Sequence, residues 1–131
     1  ERTPIKRDEI AAAQRIPVKF LEVILGELRH AGIVASHRGS EGGYSLARPA
    51  DEITVADVIR AIEGPLASVR DMRPEELEYE GAAAPLREVF VALRMNMREV
   101  LESVTLADIV AGRLSPRIEQ LIKLPEAWRS Q

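Results

Sequence analysis

The sequence IPVKFLEVILGELRHAGIVASHRGSEGGYSLARP, at residues 16–49, decides the fold. Its first half has apolar residues at intervals of three and four, which is typical of a helix with one buried face. These apolar positions are Leu21, Ile24, Leu25 and Leu28. Pro17 suits the first turn of this helix, where its missing N–H has no helical partner, and Gly32 suits a left-handed helix end. The pattern therefore predicts one helix between these two residues.

Two short strands are predicted after this helix. Residues 33–35 are small and apolar, and residues 44–46 alternate between apolar and polar side chains. Between the two strands lies HRGSEGG at residues 37–43, a glycine-rich tip with cationic side chains. The second half of the stretch therefore predicts a basic two-stranded hairpin.

A shorter helix is predicted at residues 7–14, with Ile10 and Ala13 facing inward and a break at Arg15. Two helices joined by a short turn form a helix–turn–helix, and a basic hairpin after them makes a winged version of it. The second helix of this motif enters the DNA major groove, and the wing reaches the backbone or the minor groove. The alternatives are an ordinary αα-hairpin for the two helices, and a βαβ fragment or an ordinary hairpin whose glycines only turn the chain for the stretch at residues 16–49.

The charge is uneven along the 131 residues, whose formal net charge is −3. Residues 1–49 hold eight Lys and Arg against six Asp and Glu, whereas residues 50–131 hold ten against fifteen. The positive balance lies in the half with the helix and hairpin, and this modest asymmetry gives weak support to DNA binding. The absence of cysteine excludes disulfides and thiolate chemistry. Because we see no signal peptide and no apolar run of bilayer length, we expect a cytoplasmic protein without a membrane partner.

Two capping-box patterns predict further helices. TVAD at residues 54–57 begins a helix that stops before Gly64, and TLAD at residues 105–108 begins a short one that ends at Gly112. The charges of the acidic connector between them are expected to be solvated. The expected domains are a winged helix–turn–helix at residues 1–64, the connector at 65–84, a dimerisation helix with a short capping helix at 85–112 and a C-terminal tail at 113–131. The tail is expected to form one or two amphipathic turns and to fray from Pro125 on.

The longest helix is predicted at residues 85–102. Its apolar side chains follow a seven-residue repeat, which is typical of a seam that packs on another helix. The candidate dimer interface consists of Leu86, Phe90, Leu93, Met97, Val100, Leu101 and Val104. A second copy of the chain would cover this seam, so we expect a homodimer; the alternative is packing inside one chain. The expected fold is mostly α, with a small two-stranded β-wing on a winged helix–turn–helix domain and a long dimerisation helix.

Four blocks of the sequence point to a known family. They are IPVKFLE at residues 16–22, RGSEGGYSLA at 38–47, ITVADVI running on to EGPL at 53–66, and TLADI at 105–109. With these blocks, roughly residues 7–112 resemble the IscR-like bacterial winged helix–turn–helix transcriptional regulators, which include the IscR, NsrR and CymR types. The resemblance implies a homodimer that binds palindromic operator DNA, usually as a repressor, with the long helices of the two subunits crossing.

The resemblance also implies the residues that contact DNA. Lys19, Phe20 and Glu22 match DNA-contacting positions at the start of the second helix, and Arg38 matches one in the wing. Lysine donates to guanine or phosphate, glutamate accepts from cytosine, and arginine suits a narrow minor groove. The full candidate DNA-binding set is Arg15, Val18, Lys19, Phe20, Glu22, His37, Arg38, Gly39, Ser40 and Tyr44. Three alternatives stay open, namely that Glu22 only orients Arg38, that Phe20 belongs to the core and that Tyr44 braces the wing.

Two features depart from the family. Many relatives bind an iron–sulfur cluster through three cysteines in the connector, and residues 65–85 contain none, so we expect no cofactor and no metal site. The family also has an amphipathic helix before the helix–turn–helix, and we expect that helix to be absent from this sequence.

Other functions compete with DNA binding. We expect no enzyme, because the glycines of the hairpin tip do not precede a helix as in a phosphate loop, and no Ser–His–Asp set is brought together by spacing. The remaining alternative is a winged-helix module that binds a partner protein, or a regulator controlled by a small-molecule or protein effector instead of a metal cluster.

Overall fold

The structure is a computed structural model that describes residues 3–130. Its helices and strands are α1 (Arg7–Gln14), α2 (Val18–His30), β1 (Val34–His37), β2 (Gly43–Leu46), α3 (Val55–Glu63), α4 (Leu86–Leu101), α5 (Leu106–Ala111) and α6 (Pro116–Ile122). The mostly α architecture with a two-stranded wing is therefore confirmed. Within the described range, no helix has both the length and the apolar character needed to cross a bilayer.

The chain divides into two compact units, with the boundary between Ile53 and Thr54. This boundary precedes the one expected at residue 64, because α3 packs on α4 in the second unit. The first unit contains α1, α2 and the wing, and the second contains α3 to α6.

The turn between α1 and α2 is built around Arg15. This residue has a left-handed backbone with φ of +55°, and the N–H of Ile16 donates to the carbonyl of Ala11 at 3.0 Å. The same kind of closure ends α2, where Gly32 has φ of +78° and the N–H of Ile33 donates to the carbonyl of Leu28 at 2.9 Å. Both helix ends therefore stop sharply, which keeps the helix–turn–helix short.

The core of the first unit is a small apolar cluster. Ala11, Leu21 and Leu25 are buried together. Ile10, Ile16 and Tyr44 pack against them. The expectation that Ala13 faces inward is wrong, because Ala11 occupies the inward side of α1 and Ala13 is exposed. This cluster fixes α2 against α1 and leaves the opposite face of α2 outside.

The wing is an antiparallel pair in which Val34 faces Leu46 and His37 faces Gly43. The strands thus run further than expected and leave only residues 38–42 as the tip. An unexpected bridge joins Ile5 to Tyr44, with Tyr44 N–H to Ile5 carbonyl at 2.7 Å. A side chain on Gly43 would collide with the Ile5 backbone, so the glycine permits this close approach.

The second unit is organised by its two capping boxes. The Thr54 hydroxyl accepts from the Asp57 N–H at 3.1 Å, and the Thr105 hydroxyl accepts from the Asp108 N–H at 3.1 Å. The two threonines also form a β-bridge with each other. The predicted capping boxes are therefore present, and α3 and α5 begin side by side.

The glutamates of the connector are exposed, in line with the expectation of a mostly solvated face, but Glu75 also holds the connector on α4. Residues Pro74–Glu76 form a 3-10 turn in which Pro74 is buried. The Glu75 carbonyl accepts two hydrogen bonds from Arg87, and the Glu75 carboxylate pairs with Arg94. Both arginines lie on α4, so the connector is held along that helix.

Helix α4 buries none of its sixteen residues within this chain. Leu86 and Leu93 are 41% and 45% exposed, whereas Val104 beyond the helix end is only 3% exposed. Including Val104 in the dimer interface was therefore wrong, because its side chain is already covered and its carbonyl accepts from the Val55 N–H. The tail contains α6, in line with the amphipathic turns expected there, and a 3-10 turn at Pro125–Trp128, where the sequence suggested fraying.

Candidate nucleic-acid interface

The outer face of α2 is exposed near its N-terminus. Val18, Phe20 and Val23 are 38%, 60% and 61% exposed, and Lys19 lies beside them on the surface. Phe20 is therefore not a core residue. Val23 belongs to this face although the sequence did not single it out, and its position one turn after Lys19 was the available signal. The face combines a cation with apolar contact area, which suits a helix that reads base edges.

Glu22 lies on the same helix and is paired with Arg7 of α1. The alternative in which Glu22 only orients Arg38 is not the arrangement found, because the partner of Glu22 in this structure is Arg7. The ion pair fastens α1 to α2 and neutralises a carboxylate on a surface that would otherwise repel phosphate. Sequence spacing could not reveal it, since the two residues are fifteen positions apart.

The tip of the wing carries Arg38, Gly39 and Ser40, and all three are exposed. Gly39 has φ of +97°, a conformation that favours glycine. Within residues 3–130, the guanidinium of Arg38 makes no hydrogen bond or salt bridge, and its donors point to solvent-accessible surface. An unpaired guanidinium on a tight turn is well placed to approach a phosphate or a narrow minor groove.

The sides of the wing are stiffened by His37 and Tyr44. The Nε2 atom of His37 hydrogen-bonds the Ser45 hydroxyl on the neighbouring strand at 2.8 Å. Tyr44 is half-buried and packs against the apolar cluster of the first unit. The ring therefore braces the wing, which was one of the open alternatives, and a DNA contact by Tyr44 stays a prediction.

A shallow hollow connects the wing to the first turn of α1. Its lining residues include Lys6, Arg7 and His37 together with the backbone of Gly39 and Gly42. Arg7 therefore reaches both this hollow and Glu22 of α2. Lys6 and Arg7 thus connect the wing with α2 inside the first unit. They lie at the start of the first helix, and the sequence-based candidate set did not include them. Arg15 is exposed at the turn before α2.

The donor set does not fit a cysteine-ligated iron–sulfur cluster. The sequence contains no cysteine, and the described residues contain no group of three His, Asp or Glu side chains arranged to hold a metal ion. No thiolate of this chain is therefore available to such a cluster.

The chain matches known regulators along most of its length. A family model described as Rrf2, an iron-dependent transcriptional regulator, matches residues 1–112. A Mycobacterium tuberculosis relative, whose name assigns it to the HTH-type transcriptional regulators, is 54% identical over 91% of this chain and 74% of its own. The HTH-type transcriptional regulator CymR of Bacillus subtilis is 39% identical over 82% of this chain and 73% of its own.

Solved structures agree with these sequence matches. The structure of CymR, described as the global cysteine regulator of B. subtilis, aligns with a TM-score of 0.65 at 39% identity and covers 82% of this chain and 78% of CymR. T. potens IscR aligns with a TM-score of 0.62 at 32% identity, over 98% and 76% of the two chains. The resemblance to IscR-like and CymR-like regulators is confirmed. The chain belongs to the Rrf2 family and is a winged helix–turn–helix, DNA-binding transcriptional regulator.

Proposed function

We propose that the protein acts as a homodimeric repressor that reads a palindromic operator with α2 and the wing of each subunit. The observation that carries this proposal is the exposed surface of the first unit. Lys19 and Phe20 project from the start of α2, and Arg38 stands unpaired at the wing tip. Helix–turn–helix dimers place two such helices in successive major grooves, one helical turn apart.

In this proposal, the start of α2 and the tip of the wing make different kinds of contact with DNA. Lys19 donates to guanine O6 and N7 or to a phosphate, and Phe20 and Val23 supply apolar contact with thymine methyl groups. Arg38 contacts the backbone or a narrow minor groove, where it adds affinity with little base discrimination. Arg15, Ser40 and the backbone of Gly39 add phosphate contacts.

Glu22 works together with Arg7 in this proposal. The carboxylate of Glu22 accepts from cytosine N4 only when Arg7 screens it from the phosphates. Replacing Arg7 with glutamine therefore weakens binding to every duplex. Replacing Glu22 with glutamine instead changes the base preference.

The homodimer follows from the exposed stripe of α4. Leu86, Val89 and Leu93 are 41%, 57% and 45% exposed, and Phe90 and Met97 are half-buried between them. A helix of sixteen residues without a buried side chain gains little from packing inside one chain. The same stripe of a second copy, related by a two-fold axis, supplies a matching surface. The proposed domain roles follow the sequence-based division: residues 1–64 bind DNA, residues 65–84 form the connector, residues 85–112 dimerise and residues 113–131 form the tail.

The test compares a double variant with a matched control. Lys19→Ala combined with Arg38→Ala should lower the affinity for a selected operator by at least about a hundredfold, since each charged contact is worth about 1–3 kcal/mol. The control pair, Arg117→Ala and Lys123→Ala, removes the same charge from the second unit. Fluorescence anisotropy measures the affinities, and circular dichroism verifies folding. Equal affinities for the two double variants would refute the assigned surface and favour a protein partner for the wing.

A further inference from the structure

The second unit contains a cavity of about 410 Å³ whose charged lining has no place in the proposed DNA contacts. The cavity is lined by Arg60, Gly64, Pro65, Leu66, Arg73, Glu75, Arg94 and Arg98. Four guanidinium groups face one carboxylate across this space. We call it the arginine pocket. Its volume is in the range of small-molecule sites.

The arginines come from three separate segments. Arg60 lies on α3, Arg73 precedes the 3-10 turn of the connector, and Arg94 and Arg98 lie one turn apart on α4. Positions four apart on a helix share one face, so Arg94 and Arg98 point to the same side. Three separate segments thus contribute arginines to the lining of one pocket.

The acidic side chains that pair with these arginines do not neutralise all of their positive charge. Arg60 is 2.5 Å from Glu102 and 3.7 Å from Asp57, and Arg94 pairs with Glu75. Arg98 lies 3.8 Å from Glu102, which is beyond hydrogen-bonding distance.

Arg73 has the least internal support. Among residues 3–130, its guanidinium makes no hydrogen bond or salt bridge, and only its backbone N–H donates to Glu76 at 2.9 Å. Arg73 and Arg98 therefore keep guanidinium donors that the chain does not use.

The walls of the arginine pocket strengthen the field of these cations. The side chains of Arg94 and Arg60 are only 22% and 34% exposed. Leu66 is buried at 4% exposure and, with Pro65, forms an apolar wall. Charges that are partly withdrawn from water interact with an anion more strongly than charges on an open surface.

We propose that the arginine pocket binds a small anion with at least two negative charges, either a phosphate group or a polycarboxylate. Planar guanidinium forks match the oxygens of both groups. The bound anion would join α3, the connector and α4, and in that way it would serve as the effector of the regulator. The effector role rests on the proposed function, whereas binding of the anion does not.

Glu75 is the internal competitor for this anion. Hydrogen bonding to its own backbone N–H, followed by the Arg94 guanidinium, holds the pKa of Glu75 below the ordinary value of a glutamate. The carboxylate is therefore charged at neutral pH and occupies Arg94. Replacing it with glutamine releases Arg94, and anion binding should become tighter. The two arginine donors to the Glu75 carbonyl come from Arg87 and are not removed by this change.

The test is a titration of the full chain with inorganic phosphate and, separately, with citrate at fixed ionic strength. Nuclear magnetic resonance follows the backbone amides and the arginine Nε–H groups. We expect saturable shifts at Arg73, Arg94 and Arg98 with a dissociation constant of about 1 mM or lower for one of the two anions. Whichever anion binds more tightly identifies the chemistry of the ligand.

Four variants make the test specific. Arg73→Gln and Arg98→Gln should each weaken binding at least about tenfold, and Glu75→Gln should strengthen it, because single charge-assisted contacts differ by this much. Arg117→Gln, an exposed arginine of α6 outside the pocket, should leave binding unchanged. Equal weakening by Arg117→Gln, or no saturation up to about 20 mM of either anion, would overturn the proposal. Neither result would bear on DNA binding, which is measured without these anions.

Discussion

Arg15 has a strained backbone and is also one of the proposed DNA contacts. Its φ of +55° lies in the left-handed region, where a side chain costs about 1–2 kcal/mol. A glycine would relieve the strain, as Gly32 does at the end of α2. Arg15 is exposed beside the start of α2, so in the proposed complex its charge would contact DNA at a cost in stability.

Arg15→Gly should therefore separate stability from affinity. We expect the free energy of unfolding to rise by up to about 1 kcal/mol, because relief of strain exceeds the added freedom of the unfolded chain. We expect operator affinity to fall, since a phosphate contact is lost. Urea unfolding and anisotropy measure the two effects. Arg15→Lys is the control, which keeps both the strain and the charge. A glycine variant that loses stability or binds DNA at full strength would contradict this account.

Short sequence patterns were sufficient to predict the two capping boxes but not to predict the ion pairs. Thr54 with Asp57, and Thr105 with Asp108, are each three residues apart, so their hydrogen bonds follow from spacing alone. The pairing of Arg7 with Glu22 depends on how two helices pack, which single-sequence patterns do not encode. The same limit explains why the Ile5 bridge to the wing was missed.

The threonine N-caps of α3 and α5 are expected to stabilise the second unit. Thr54→Ala and Thr105→Ala should each lower the free energy of unfolding by about 1 kcal/mol, because each removes the hydroxyl that accepts the third N–H of its helix. Ser68→Ala in the connector is the control, since this exposed serine caps no helix. Urea unfolding monitored by circular dichroism measures the change. The role of the two caps would be refuted if the free energy of unfolding of each threonine variant were within about 0.5 kcal/mol of that of the control.

The long helix α4 shows what periodicity can and cannot predict. Its seven-residue repeat correctly gave a helix with one apolar stripe, found at Leu86–Leu101. The repeat continues to Val104, past the predicted helix end, and it could not tell that this residue is covered by its own unit. Leu93, at 45% exposure, is a better marker of the open stripe.

Leu93→Glu should break the dimer. A carboxylate at the centre of a two-fold seam faces its own copy, and like charges in a desolvated contact are strongly unfavourable. Analytical ultracentrifugation should show a monomer, and operator affinity should fall because paired half-sites are no longer bound together. Val110→Glu is the control, as Val110 is 82% exposed outside α4. A stable dimer of the Leu93 variant would exclude α4 as the interface.

We expect the loss of folding stability of the whole molecule at acid pH to originate in the second unit. Hydrogen bonding from the Thr105 backbone and then from its hydroxyl lowers the pKa of Asp108, and the pKa of Glu75 is also lowered. A carboxyl group with a depressed folded-state pKa contributes stability above its unfolded-state pKa. That contribution disappears as the pH falls through the folded-state value.

We therefore expect a constant melting temperature between about pH 7 and pH 5, and a decline below about pH 4, where free carboxyl groups become protonated. Thermal unfolding at a series of pH values measures this profile. Asp108→Asn keeps an oxygen acceptor for the cap but cannot titrate, so its decline should be shallower. A variant and a parent chain with parallel acid profiles would exclude Asp108 as a contributor.

The two units also divide the charge of the molecule. The positive balance of residues 1–49 coincides with α2 and the wing, and the acidic balance of residues 50–131 coincides with the proposed dimer and anion sites. Sequence reasoning found this asymmetry and the DNA-binding unit. It could not find the arginine pocket, because Arg60, Arg73 and Arg94 are brought together only when α3 and the connector pack on α4.

The most direct test of operator reading is the salt dependence of binding to a selected palindromic duplex and to a random duplex, measured by fluorescence anisotropy. A dimer with about six or more phosphate contacts should lose about a thousandfold in affinity between 50 and 200 mM salt. At fixed salt it should prefer the selected duplex by at least about a thousandfold. Equal affinity for both duplexes at every salt concentration would contradict the central claim that this protein reads a specific DNA sequence.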